Sequence, residues 1–215
     1  SDIESQEDLN DRARAASFLG TLQAGFTDFH YLRDEWRTTS RQDALIGVGM
    51  TGIASRKIEM FDLRETAEAA RRMNMTLSGK IDIEFAARCT TIKPSGTTSL
   101  VLGTSSGIHA WHNDYYLRRV RIGKNEALYQ YLIDQHPELL EDDLLNSKQA
   151  IIRIPQKAPA GSILRTESAM DLLERIRKFN IEWARNGFRR GSNANNVSAT
   201  VSVPNGKWEE VGEWM

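Results

Sequence analysis

Short runs of apolar, β-branched residues alternate along this chain with longer amphipathic segments, and this alternation limits the fold more than any other feature. In the amphipathic segments apolar residues recur every three or four positions, which predicts helices. The predicted helices cover residues 8–32, two stretches within 61–89, 125–137, and 165–187 with Thr166 as N-cap. The predicted strands cover residues 45–52, 89–94, 115–123, 150–155 and 196–204. Strands that alternate with helices pair in parallel, so the pattern predicts an α/β fold.

The stretch "TTIKPSGTTSLVLGTSSGIHA", residues 90–110, leads from a strand into a loop rich in hydroxyl groups and glycine. In α/β folds, ligands bind at the loops that leave the carboxyl ends of the strands. A helix that begins near Thr97 would direct its first backbone amides toward such a ligand, an arrangement that binds anions. The spacing of glycine and lysine does not match a Walker motif. The loop is therefore either a phosphate site or an ordinary start of a helix, and the residues alone leave both open.

Charge and composition exclude several classes of protein. Among its 215 residues the chain has 28 basic and 29 acidic side chains, so it lacks the basic excess of a nucleic-acid-binding protein. No apolar run approaches the roughly 20 residues that span a bilayer, so we expect no membrane partner. Cys89 is the single cysteine, which excludes a disulfide framework and makes the cytoplasm the expected location.

Other chemically capable residues have simpler explanations in packing and solvation. His109 and His112 lie three positions apart, but no carboxylate pair or cysteine cluster accompanies them, so we expect loop histidines and no metal site. Cys89 has no partner group in the sequence and is expected to be a small buried residue. We expect the nearby aromatic residues Trp111, Tyr115 and Tyr116 to pack in the core. For the basic clusters "RRVR", which contains Arg118 and Arg119, and "FRRGSN" we expect ion pairs or a solvated face.

Four segments in a fixed order resemble the catalytic chains of ribonucleotide reductases, most closely the adenosylcobalamin-dependent (class II) group. They are "LGTLQAGFTDFHYLRDEW", "LIGVGMTGIA", "TTIKPSGTTSLVLGTSSGIHAWHNDYYLRRVRIG" and "NNVSATVSVPNGKWEEVGEWM". Within the third, a "KPSGT" element follows a strand, as it follows a barrel strand in that family. Together the segments are spread over nearly the whole chain, from residue 19 to residue 215, which makes the resemblance specific.

The resemblance implies a ten-stranded α/β barrel, of which residues 1–215 are the C-terminal portion, truncated at both ends. It implies a reductase that converts ribonucleotides to 2′-deoxyribonucleotides by radical chemistry, with adenosylcobalamin as cofactor and an external dithiol such as thioredoxin as reductant. The missing N-terminal part of the barrel is then a further partner. The loop is expected to hold the phosphates of the ribonucleotide substrate through six residues: Pro94, Ser95, Gly96, Thr97, Thr98 and Ser99.

The chain also departs from the family pattern. The radical cysteine of these enzymes lies in an Asn-Pro-Cys-Gly-Glu-like motif that is absent here, and Cys89 does not stand in it. A single cysteine also cannot form the intramolecular pair that supplies two electrons. We therefore expect no catalytic residue in this segment, which should be inactive by itself. Two alternatives stay open: a large-subunit fragment of a metal-dependent class I reductase, and a non-catalytic nucleotide- or phosphate-binding module.

Overall fold

The computed structural model describes residues 2–188 and 193–215, and it divides the chain into two units. The first unit combines Ser1–Trp111 with Gly161–Met215, and the second is His112–Ala160. The two arginines of the "FRRGSN" cluster, at positions 189 and 190, lie outside the described residues.

Helices predominate in the first unit, and the second carries a small sheet. The α-helices are α1 Gln6–Ala24, α2 Asp34–Asp43, α3 Leu63–Lys80, α4 Gly96–Val101, α5 Ala127–Gln135, α6 Ala169–Glu182 and α7 Trp208–Trp214. Short 3-10 helices cover Ile53–Ser55, Lys57–Met60, Pro137–Leu139 and Ala184–Gly187. The strands are β1 Tyr115–Gly123, β2 Leu140–Asp142 and β3 Gln149–Lys157.

Three extended segments of the first unit lie side by side in parallel, where the sequence predicts three full strands. Val48 pairs in parallel with Thr90, and Ile92 pairs in parallel with Val197. The Ser198 amide donates to the Ile92 carbonyl at 2.8 Å. The parallel pairing confirms the α/β prediction, but each contact is an isolated bridge and none of these segments forms a regular strand.

The helix predicted over residues 8–32 ends earlier than expected. α1 begins after Ser5, whose hydroxyl accepts a hydrogen bond from the Asp8 amide, and it ends at Ala24 before Gly25. Phe26 therefore lies outside the helix, although its spacing continues the helical pattern.

α1 packs on α3 through small and polar buried residues. The Ser17 hydroxyl donates to the Ala70 carbonyl at 2.7 Å, which ties the two helices together across their interface. α3 continues as one helix through Ser78, where the sequence predicts a break between two helices. Asp62 caps its first turn by accepting from the amides of Arg64 and Glu65.

α6 supplies the largest buried side chains of the first unit. Ser168, two residues beyond the predicted cap Thr166, forms a capping box with Asp171. Phe179 on α6 and Trp183 at its end are both fully buried in the main core. The core contact, together with the cap, fixes where this helix begins and which face it buries.

The second unit holds an antiparallel sheet in the order β1-β3-β2, which corrects the predicted parallel pairing of these strands. β2 and β3 are joined by a short connection, and a connection this short permits only antiparallel neighbours. The helix predicted over 125–137 is confirmed as α5, whose Leu132 packs on Ile122 and Ile152. β3 continues past Pro155, where a proline is tolerated because β2 pairs only with residues 150–152.

No helix in the described part of the chain combines the length and apolar character needed to cross a membrane.

The buried amide of Asn74 provides a test of the α1–α3 interface. Its Nδ2 donates to the Thr21 hydroxyl at 2.8 Å, and its Oδ1 accepts from the Ala86 amide at 2.8 Å. Asn74→Ala leaves both partners buried without it, so we expect the free energy of unfolding to fall by about 2–3 kcal/mol. Thr76→Ala on the exposed side of α3 should change it by less than about 0.5 kcal/mol. Urea unfolding followed by tryptophan fluorescence measures both, and equal values for the two variants would contradict the assignment.

Candidate functional site

The hydroxyl-rich loop follows the middle one of the three parallel segments, as the sequence predicts. α4 begins at Gly96, one residue before the predicted start at Thr97. Gly96 has φ +43° and no atom within 4 Å of the place where a Cβ would stand, so its surroundings are open. The loop therefore presents bare backbone to the space beyond the end of the segment.

The side chain of Thr51, from another loop, is hydrogen-bonded to the start of the hydroxyl-rich loop. The Thr51 hydroxyl donates to the Ser105 carbonyl at 2.9 Å and accepts from the Gly107 amide at 3.0 Å. It also makes a short hydrogen bond with the Ser95 hydroxyl, which in turn accepts from the Gly107 amide at 3.2 Å. Thr51 thus connects residues that precede α4 with residues that follow it.

Two of the loop's hydroxyls are used inside the loop. The Ser99 side chain is buried and donates to the Gly96 carbonyl at 2.7 Å. The Ser95 amide donates to the Ser106 hydroxyl at 3.0 Å, and the Ser95 hydroxyl belongs to the contacts around Thr51. These groups shape the loop and are not available to a ligand.

Other donors of the loop face outward. Thr97 and Thr98 are exposed, and their hydroxyls make no hydrogen bond to a described residue. The amides of Gly96 and Thr97 likewise have no acceptor among the described residues. Adjacent amides and hydroxyls of this kind can hold an anion through neutral donors.

His109 has a structural role in the same region. Its Nε2 accepts from the Thr200 amide at 3.0 Å, so this nitrogen carries no proton. Nδ1 then bears the proton and donates to the Ser106 carbonyl at 3.1 Å. Both ring nitrogens are occupied, and no cluster of three metal-ligating side chains occurs among the described residues. His112 lies in the second unit, 5.3 Å from the Tyr116 ring centroid.

Cys89 is fully buried, as the sequence predicts. Desolvation raises the pKa of its thiol to about 12. The thiolate is the reactive form of cysteine, so this side chain is inert at neutral pH.

Of the remaining sequence candidates, Trp111 packs in the core as predicted, whereas Tyr115 is exposed, which corrects the core packing predicted for it. Trp111 is buried, and its indole donates to the Ser55 hydroxyl at 3.2 Å. In the second unit, the Lys157 ammonium lies 5.5 Å from the centre of the exposed Tyr115 ring, and Arg119 pairs with Glu141. The residue that sequence reasoning missed is Thr51; its only signal was a hydroxyl between glycines in "GMTG".

A substitution at Gly107 tests how closely the segment after α4 must approach the segment before it. An added Cβ would lie 2.5 Å from the Lys93 carbonyl oxygen, and the residue has φ +56°. Gly103 has a similar φ of +60° but open space around it, which makes it a matched control for backbone strain alone. We expect Gly103→Ala to lower the free energy of unfolding by about 1 kcal/mol and Gly107→Ala by about 3 kcal/mol or more. Equal losses in urea unfolding would show that the contact with Lys93 is not constrained.

The buried thiol predicts a pH dependence of stability. Between pH 9 and pH 12 the unfolded chain releases the Cys89 proton while the folded chain keeps it, because burial raises the pKa from 9.0 to about 12. This contribution to stability is therefore complete below pH 9 and is lost as the pH rises, at about 1.4 kcal/mol per pH unit. In Cys89→Ala the decline between pH 9 and pH 11 should be shallower by that slope. Parallel curves of unfolding free energy against pH for the wild type and Cys89→Ala would refute this contribution of the thiol.

Comparison with known proteins places these features in context. No protein-family model matches the chain. An adenosylcobalamin-dependent ribonucleoside-triphosphate reductase of Euglena gracilis is 27% identical over 150 residues, which are 66% of this chain and 20% of the relative. A Dictyostelium discoideum protein named as a probable enzyme of the same kind is 27% identical over 152 residues, with the same two coverages. The chain thus spans about a fifth of the length of these relatives.

One solved structure has a similar fold. The crystal structure of a B12-dependent (class II) ribonucleotide reductase matches with a TM-score of 0.74 and 18% identity, over 94% of this chain and 32% of the other. At this identity the match establishes the fold alone. Taken with the two relatives, it confirms the resemblance found in the motifs: the chain is similar in sequence and in fold to adenosylcobalamin-dependent ribonucleotide reductases.

Proposed function

We propose that residues 1–215 are the C-terminal portion of the barrel domain of an adenosylcobalamin-dependent ribonucleoside-triphosphate reductase. Such an enzyme converts ribonucleotides to 2′-deoxyribonucleotides, and in this proposal the chain contributes the later strands of a ten-stranded α/β barrel. The names of the two relatives and the fold of the solved structure support it. The rest of the barrel, which precedes this portion, is then its partner within a longer cytoplasmic protein.

The single observation that carries the proposal is the outward-facing set of donors at the loop. The amides of Gly96 and Thr97 and the hydroxyls of Thr97 and Thr98 lie just beyond the end of a parallel segment. This is the position at which open α/β folds bind phosphate groups. α4 has only six residues, so the individual donors contribute more than a helix dipole does.

In this proposal the six residues of the loop have two different roles. Gly96, Thr97 and Thr98 bind the substrate phosphates directly. Pro94, Ser95 and Ser99 give the loop its shape, Pro94 through its fixed φ and the two serines through their internal hydrogen bonds. Anchoring the phosphates orients the ribose for the reaction at its 2′-hydroxyl.

The residues of this chain do not fit the radical chemistry itself. Adenosylcobalamin, when bound, supplies the radical that a cysteine thiol must receive. Cys89 is fully buried, its thiol pKa is raised to about 12, and it has no second cysteine with which to form a disulfide. We therefore assign no step through the cofactor to these residues. In this proposal the radical cysteine, the cobalamin contacts and the thiols re-reduced by a dithiol such as thioredoxin belong to the rest of the protein.

A second candidate is a nucleotide- or phosphate-binding module without turnover. The inert state of Cys89 favours it for this chain taken alone. The names of the relatives favour the cobalamin-dependent enzyme over a class I large subunit. Adenosylcobalamin-dependent reduction of a ribonucleoside triphosphate by the full-length protein would separate the enzyme from the binding module.

Replacing the two outward hydroxyls tests the phosphate assignment. Thr97→Val and Thr98→Val keep the side-chain shape and remove the donors. In the full-length protein we expect the double variant to bind a ribonucleoside triphosphate about ten- to a hundredfold more weakly, because hydrogen bonds to a charged group are lost. Binding of the unphosphorylated nucleoside should stay unchanged. Isothermal titration calorimetry with both ligands measures the difference.

Thr76→Val, an exposed threonine on α3, is the matched control and should bind both ligands like the wild type. If the double variant binds the triphosphate as tightly as this control does, the loop is only the start of a helix and the phosphate assignment is wrong.

A further inference from the structure

The hydrogen-bonding capacity of Thr51 decides which groups of the loop can donate to a ligand. A hydroxyl has one proton, and that of Thr51 is directed at the Ser105 carbonyl, 2.9 Å away. A carbonyl can only accept. When all three contacts of the Thr51 oxygen are hydrogen bonds at once, the donor in the short contact with Ser95 is Ser95.

Ser95 is consequently unable to donate to a phosphate while this contact exists. Its hydroxyl donates a hydrogen bond to Thr51, its amide donates to the Ser106 hydroxyl, and its side-chain oxygen accepts from the Gly107 amide at 3.2 Å. Ser95 immediately precedes Gly96, the first residue of α4. The position of the Ser95 side chain therefore fixes where the next two amides point.

The backbone already joins the loop of Thr51 to the segment that follows α4. The Gly52 amide donates to the Ser105 carbonyl at 3.0 Å, and the Ile53 amide donates to the Gly107 carbonyl at 3.3 Å. These bonds do not involve a side chain of Thr51. What the hydroxyl of Thr51 adds is the connection to Ser95, at the start of α4.

We propose that Thr51 is a positioning residue for the substrate phosphates: its hydroxyl fixes Ser95 and thereby aims the amides of Gly96 and Thr97. The proposal rests on the phosphate role of the loop given under Proposed function. Thr51 itself does not contact the phosphate. It acts by accepting hydrogen bonds from the Ser95 hydroxyl and from the Gly107 amide.

The test compares variants of Thr51 in the full-length protein. Thr51→Val keeps the shape and removes the hydroxyl, and it should weaken binding of a ribonucleoside triphosphate about three- to tenfold. Thr51→Ser keeps the hydroxyl and should restore binding to within about twofold of the wild type. Binding of the unphosphorylated nucleoside should not change in either variant.

Two further variants separate positioning from a general loss of stability. Thr66→Val removes a buried hydroxyl that bonds Asn10 and lies between α1 and α3, and none of its hydrogen-bond partners belongs to the loop. It should lower the melting temperature without changing triphosphate affinity. Ser95→Ala removes the other member of the pair, so the double variant Thr51→Val with Ser95→Ala should bind no more weakly than the weaker single variant.

The outcomes distinguish this proposal from the one on which it rests. Wild-type affinity in Thr51→Val, combined with weak binding in the Thr97 and Thr98 variant, would overturn the role of Thr51 alone. The same would follow if Thr66→Val weakened triphosphate binding as much as Thr51→Val does. If neither the loop variant nor Thr51→Val changed triphosphate binding, the phosphate site itself would be wrong and the role of Thr51 would fall with it.

Discussion

The extended segment from Cys89 to Ile92 is the part of the first unit on which the rest depends. The Trp183 indole donates to the Thr91 carbonyl at 3.0 Å, and the Thr90 hydroxyl donates to the Trp183 carbonyl at 2.8 Å. The buried Trp183 is thus hydrogen-bonded to a segment that also pairs in parallel with a neighbour on each side. Because its backbone groups are satisfied from several directions, this segment has one register and one direction.

That register determines where the hydroxyl-rich loop begins. Gly187 lies so close to the segment that a Cβ there would collide with the side chain and the amide of Thr90, so the chain after α6 can approach this closely only as glycine. A second close approach follows the segment, where a Cβ at Gly107 would collide with the Lys93 carbonyl. Tight backbone approaches at both ends leave the start of α4 little freedom, which is what a site built from backbone amides requires.

The chain also exposes much apolar surface in its described part. Phe26, Tyr31, Met60, Val101 and Leu144 are among the large apolar or aromatic side chains that stand more than 80% exposed. Single exposed apolar side chains are also normal on proteins that act alone, so these residues do not by themselves identify a covered surface. The proposal that a longer protein completes the barrel rests on the relatives, of whose length the chain spans about a fifth.

The sequence by itself determined the α/β class, the helices with strong periodicity, and the hydroxyl-rich loop, because these depend on local spacing and on residue type. It also carried the resemblance to cobalamin-dependent reductases. The sequence could not decide which strands pair. Residues 115–123 lie antiparallel to 149–157 although α5 and β2 separate them along the chain, and α5 packs on both strands. Nor could it identify Thr51, which lies 44 positions from Ser95 along the chain. Tertiary structure alone brings these two hydroxyls together. Their hydrogen bond engages Ser95 in shaping the loop and leaves the donors of Gly96, Thr97 and Thr98 to bind a ligand.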